Sequence, residues 1–127
     1  MQREDILALS GRLFLALIFL ASAFGKATNF EMTARYMESR GIPAPGLLCA
    51  AAAVLEALGG IALVLGYRAR WAAAALAAFV AAAALLFHAS PDQRIHLLKN
   101  IAIIGGLFQV MAFGPGELSL EGRGRGW

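Results

Sequence analysis

Four apolar runs leave little of the chain for anything else: residues 6–25, 46–67, 71–89 and 100–116. A hydrocarbon core of about 30 Å is crossed by about 20 residues of α-helix, and each run is near that length. Strands of a membrane barrel would alternate apolar and polar side chains, which these runs do not, so helix is the form that satisfies their backbone polar groups in lipid. Arg12 is the one charge in the first run and Glu56 the one charge in the second; the third has none if His88 is neutral. The fourth is preceded by a helical turn or two that carries His96 and Lys99. The expected fold class is all-α: a polytopic membrane four-helix bundle with a short interfacial helix in the first loop. It forms a single transmembrane domain over 1–127, with spans at about 6–26, 45–67, 70–89 and 91–113 and a polar tail over 117–127.

Composition agrees with this reading. The chain is 60% hydrophobic and 15% charged, whereas a soluble domain carries about 45–50% and about 25%. Its mean hydropathy is +0.69. Disorder, a disulfide scaffold and most soluble enzymes are excluded. The net charge of +3 comes from basic residues at the ends of apolar runs, which reads as attraction to anionic lipid headgroups. Arg123 and Arg125 in the glycine-rich tail are too few to suggest nucleic acid, which is not an expected partner. Cys49 is the only cysteine, so neither an internal disulfide nor a CxxC redox pair can form. Any redox chemistry has to come from a bound cofactor or a partner protein.

The helix ends are well marked. Gly66-Tyr67-Arg68-Ala69-Arg70-Trp71 is a tight turn with aromatic and arginine anchors. Ser90-Pro91-Asp92-Gln93 supplies an N-cap serine with proline at the first helical position, so the fourth span should begin at Pro91. Gly114-Pro115-Gly116 should end it. In the first loop, Thr28-Asn29-Phe30-Glu31 matches a capping box, and Gly41 is suited to a C-cap. Phe30, Ala34 and Met37 share one face of the intervening helix, 29–40, which fits a helix lying in the interface; a solvated connector is the other reading. Ala21-Ser22-Ala23 resembles a signal-peptide cleavage site. The leading residues 1–5 are not positively charged, however, and Arg12 interrupts the apolar stretch, so the first run is expected to be a retained membrane helix.

An even number of spans puts both termini on one side, with Arg3, Arg68, Arg70, Arg123 and Arg125. Lys26, Arg35, Arg40 and Arg94 fall on the other. Taking Lys99 as membrane-embedded, the balance sets the termini in the cytoplasm. The alanine-rich third run, Gly59-Gly60 and Gly105-Gly106 permit close helix approach, the main packing device in lipid.

A charge at mid-bilayer costs about 2.5–3.5 kcal/mol, so each needs a partner, a wet cavity or a function. Counting helical rise from the run ends puts Arg12 and Glu56 at similar depth on antiparallel neighbours. The two are expected to approach each other, either as a structural ion pair that fixes helix register or as part of a site. His96, Lys99 and Asn100 stand at i, i+3 and i+4. His88 closes the third run and Lys26 the first. Together these five suggest a polar pocket near the surface opposite the termini, with Glu56 as its floor; Lys26 and Lys99 have the alternative of snorkelling to headgroups. The two histidines lack metal-ligand spacing, so no metal is expected.

In series, these residues resemble the DoxX family. The first-helix segment from Arg12 to Lys26, Glu56-Ala57-Leu58-Gly59-Gly60 in the second, Phe87-His88 at the end of the third, and the segment from Lys99 to Gly106 in the fourth carry the likeness in order along the chain. The resemblance implies a small multi-pass protein of the bacterial cytoplasmic (inner) membrane. The family is named for a subunit of a thiosulfate:quinone oxidoreductase, and some members are linked to membrane-associated redox assemblies that handle sulfur or oxidative stress. It therefore implies quinone as a candidate cofactor, a redox partner protein, and Glu56, His88, His96, Lys99 and Asn100 as ligand-binding or proton-relay candidates. Exposed alanine faces would also suit a homo-oligomer. The alternative is a non-catalytic membrane scaffold or a small-solute permeation protein.

Overall fold

The computed structural model describes residues 3–87, 94–116 and 118–120. His88, the expected helix start at Ser90-Pro91 and the last seven residues lie outside them. Five helices follow in order: α1 (Arg3–Thr28), α2 (Phe30–Ser39), α3 (Pro45–Leu65), α4 (Ala69–Phe87) and α5 (Arg94–Phe113). The fold is an all-α membrane bundle. α1, α3 and α5 are each long and apolar enough to cross a membrane by length and composition, and α4 contributes the apolar stretch Ala69–Leu85.

Local chemistry fixes the ends. Glu4 and Asp5 lie in the first turn of α1 and Lys26 in its last, each on the side that the helix dipole favours. Pro45 starts α3 at a position where its missing N–H is not needed. Gly41 follows α2 with φ +78, and Gly66 follows α3 with φ +70, a left-handed conformation that glycine adopts without the Cβ penalty. The expected capping box does not form. α1 runs through Thr28, whose hydroxyl donates back to the carbonyls of Phe24 and Gly25, and Asn29 precedes α2 with no side-chain cap.

α1 packs along α3, α3 along α4 and α4 along α5, while α5 closes back on α1 with the lightest contact in the ring. The interior uses small residues: Ala16, Ala69, Ala73 and Ala77 surround Phe19, Leu63, Leu76 and Leu107. Large side chains face outward instead, among them Phe14, Leu17, Phe24, Leu58 and Leu85. That arrangement suits a lipid surround, where close contact between helices replaces the drive to hide apolar surface. Gly59 and Gly60 put α3 hard against both neighbours. A Cβ at Gly59 would come within 2.8 Å of Leu76 on α4, and one at Gly60 within 2.8 Å of Leu20 on α1.

α1 overhangs the end of α3, and this decides the fate of Arg12. The residue is 1% exposed. Its Nη1 donates to the carbonyls of Leu63 (2.7 Å) and Val64 (3.2 Å), and its Nη2 to that of Leu118. The last carbonyls of a helix have no partner within the helix. In α3 all four are satisfied: Ala62 by the N–H groups of Gly66 and Tyr67, Leu63 and Val64 by Arg12, and Leu65 by the N–H of Leu120 at 2.9 Å. A buried cation at the negative end of the helix dipole is also favourable. The segment after α5, expected to be a stop and then a polar tail, folds back here. Pro115 and Gly116 are buried, and a Cβ at Gly116 would lie 3.1 Å from Ala8 of α1.

The Arg12–Glu56 approach is therefore corrected. Arg12 sits level with the C-terminal end of α3, and Glu56 pairs elsewhere. The run ends had placed the two at one depth, but the seating of Gly60 against Ala16 and Leu20 slides α1 along α3 and sets the charges at different levels.

Candidate functional site

Glu56 lies on the inward face of α3, and its side chain is 4% exposed. Its partner is Lys26, near the end of α1, with Nζ to Oε1 at 2.7 Å. Lys26 lies about 21 Å along α1 from Arg12. Helical spacing brings Ser22 beneath it, at i and i+4, and Lys26 Nζ donates to Ser22 Oγ at 2.8 Å. Phe79 of α4 lies under the ammonium, 6.0 Å from Nζ to the ring centroid, at the outer limit of a cation–π contact. Lys26 is 20% exposed. It turns inward to the carboxylate instead of snorkelling outward.

The pair lines a cavity of about 530 Å³ at the end of the bundle away from the termini. Ser22, Lys26, Thr33, Tyr36, Glu56 and Asn100 are the polar side chains in its wall, and the remainder is apolar. α2 forms one side through Thr33, Tyr36 and Met37. Met37 packs with Ile42 and the fully buried Cys49, which anchors α2 to α3. Two polar groups in the wall have capacity left. Glu56 Oε2 and the Asn100 amide make no hydrogen bond among the described residues. An ammonium has three N–H donors, and Lys26 uses two of them.

The sequence candidates separate here. Glu56, Lys26 and Asn100 come together at the cavity. His96 and Lys99 are exposed on α5 and are not part of its lining. Arg12 belongs to the far end of the bundle. Ser22, Thr33, Tyr36 and Phe79 were not among the candidates. Ser22 was legible as the residue four before Lys26, but Phe79 carried no sequence signal. Among the described residues no group of three His, Cys, Asp or Glu side chains could hold a metal ion.

Among the described residues, an apolar layer lies between the cavity and Arg12. Phe19 of α1 and Leu63 of α3 lie between Glu56 and Arg12, in one buried apolar cluster with Leu76 of α4 and Leu107 of α5.

The DoxX family profile matches residues 7–89. The inner membrane protein YqjF of Escherichia coli (strain K12) is 32% identical over 121 residues, which is 93% of this chain and 92% of that protein. The inner membrane protein YphA of the same organism is 32% identical over 128 residues, with 94% and 91% covered. No solved structure gives a significant match. The family match covers more than half the chain and two relatives are 32% identical over nearly all of it, so the chain is a member of the DoxX family.

Proposed function

We propose that this DoxX protein is a quinone-binding subunit of a membrane-associated oxidoreductase system in the bacterial inner membrane. The location follows the names of the two E. coli relatives. One observation carries the ligand assignment: an apolar cavity of about 530 Å³ with unused hydrogen-bonding capacity on Lys26, Asn100 and Glu56. Ligand pockets are typically about 300–1,000 Å³, mostly apolar, with a few convergent polar groups. A quinone headgroup is flat and apolar with carbonyl acceptors on opposite sides. The free N–H of Lys26 and the amide of Asn100 supply donors of that kind. Glu56, held by Lys26, is the group that accepts or releases a proton beside them. His96 and Lys99, exposed on α5, serve in this reading as proton-exchanging groups toward the aqueous edge. When bound, a quinone supplies the electron-carrier chemistry that these side chains lack, and a redox partner protein supplies or takes the electrons.

A scaffold or permeation role is the alternative. Permeation is disfavoured by the apolar layer of Phe19, Leu63, Leu76 and Leu107. A scaffold has no use for open hydrogen-bonding capacity inside a cavity.

Purified protein should release quinone on solvent extraction and should bind a short-chain quinone saturably. Lys26→Met and Asn100→Leu should each weaken that binding about 10-fold, as the loss of one buried hydrogen bond implies. Absence of both extractable quinone and saturable binding in the wild type would overturn the proposal.

A further inference from the structure

The same cavity has an opening that specifies how a ligand reaches it. α3 and α4 are locked together at Gly59 and Leu76. One to three turns further from the termini they face each other across the cavity instead. Leu48, Ala51 and Leu55 line it from α3, and Phe79, Ala82 and Ala83 line it from α4. Helical spacing puts each trio on the side of its helix that faces the other. Leu48, Ala51 and Ala82 are nevertheless exposed, so this stretch of the seam is open to the outside of the bundle. Ala51, Ala82 and Ala83 put small side chains along it.

We infer that the ligand is a long-tailed amphipath that enters sideways from the bilayer, with its apolar tail leaving through the α3–α4 seam and its polar head against Lys26 and Glu56. A second feature supports this independently of the small residues. Glu56 is 4% exposed and lines the same space, with its Oε1 held by Lys26. Polar recognition thus lies deep, beyond an apolar entrance, in the order that an amphipath inserted head-first would meet them. α2 also walls the cavity through Thr33, Tyr36 and Met37. The inference rests on the quinone reading for the head and adds the tail, the route and the residues that set them.

The test compares two probes in lipid nanodiscs: a quinone with no side chain and one with a long isoprenoid chain. The wild type should bind both. In the Ala51→Phe/Ala82→Phe variant the seam is filled, and overpacking of this kind should weaken long-chain binding about 10-fold or more. The chainless quinone should be weakened far less than the long-chain one, and an unchanged helix content by circular dichroism shows that the variant is folded. Equal binding of the long-chain probe by variant and wild type would overturn the sideways route. So would selective loss on Ile18→Trp, which would place the tail exit beside α5. If the wild type binds neither probe, the quinone reading itself fails, and the two failures are thereby distinguished.

Discussion

Lys26 and Glu56 form the most consequential contact in the bundle, and a double-substitution cycle measures it. Lys26→Met removes the cation and leaves Glu56, at 4% exposure, with no partner. Breaking a buried ion pair from one side costs about 3–5 kcal/mol; protonation of the carboxyl limits the loss to the lower part of that range. Glu56→Met should cost less, about 1–3 kcal/mol. Lys26 is 20% exposed and close to the end of α1, so its ammonium can swing to the surface. Replacing both residues removes two charges and their desolvation together, which should leave stability within about 1 kcal/mol of the wild type. The coupling energy should therefore be about 3 kcal/mol or more. Reversible unfolding in mixed micelles, with helix content read by circular dichroism, gives all four stabilities. If the two single costs simply add to within about 0.5 kcal/mol, the pair is not formed and the site has no foundation. The doubly substituted protein should be as stable as the wild type yet bind no quinone, which separates the structural part of the pair from its role toward ligand.

Other substitutions probe the frame around this site. Arg12→Leu leaves the carbonyls of Leu63, Val64 and Leu118 without their donor and should cost about 3 kcal/mol or more, since hydrogen bonds to charged groups contribute about 1.5–3 kcal/mol each. Arg12→Lys keeps the charge and should recover part of that loss in the same unfolding assay. Gly60→Ala drives a Cβ to 2.8 Å from Leu20 and should destabilise by about 1–3 kcal/mol. Gly105→Ala meets nothing within 4 Å and should stabilise α5 by about 0.5–1 kcal/mol; a loss of comparable size at both glycines would contradict the packing described.

The spans were legible because apolar run length is a direct reading of the solvent. Glu56 and Arg12 were legible as charges in those runs, and the need for partners follows from the cost of leaving them bare. Which partner each one takes was not legible. Register between α1 and α3 depends on how Gly60 seats against Ala16 and Leu20, a matter of side-chain volumes on two helices that counting rise along one cannot supply. Lys26 was recognised as a candidate but looked equally able to snorkel, since the choice depends on a carboxylate 30 positions away in sequence. The role of Arg12 depended on Leu118, and its short segment, with turn, polar and leucine residues mixed, says nothing about where it lies. Asn100 and Lys99 are adjacent on α5, yet one borders the cavity and the other is exposed. That division follows from how α5 is rotated in the bundle.

The site depends on an inward lysine meeting the buried glutamate within lipid. Dipolar-recoupling solid-state NMR on protein in bilayers, labelled at the Lys26 side-chain nitrogen and the Glu56 carboxyl carbon, measures that contact directly. With Nζ and Oε1 at 2.7 Å, a strong nitrogen–carbon coupling is expected, together with a change in it when a short-chain quinone is added. A Glu56 carboxyl that shows no coupling to Lys26, and couples instead to the labelled guanidinium of Arg12, would contradict it.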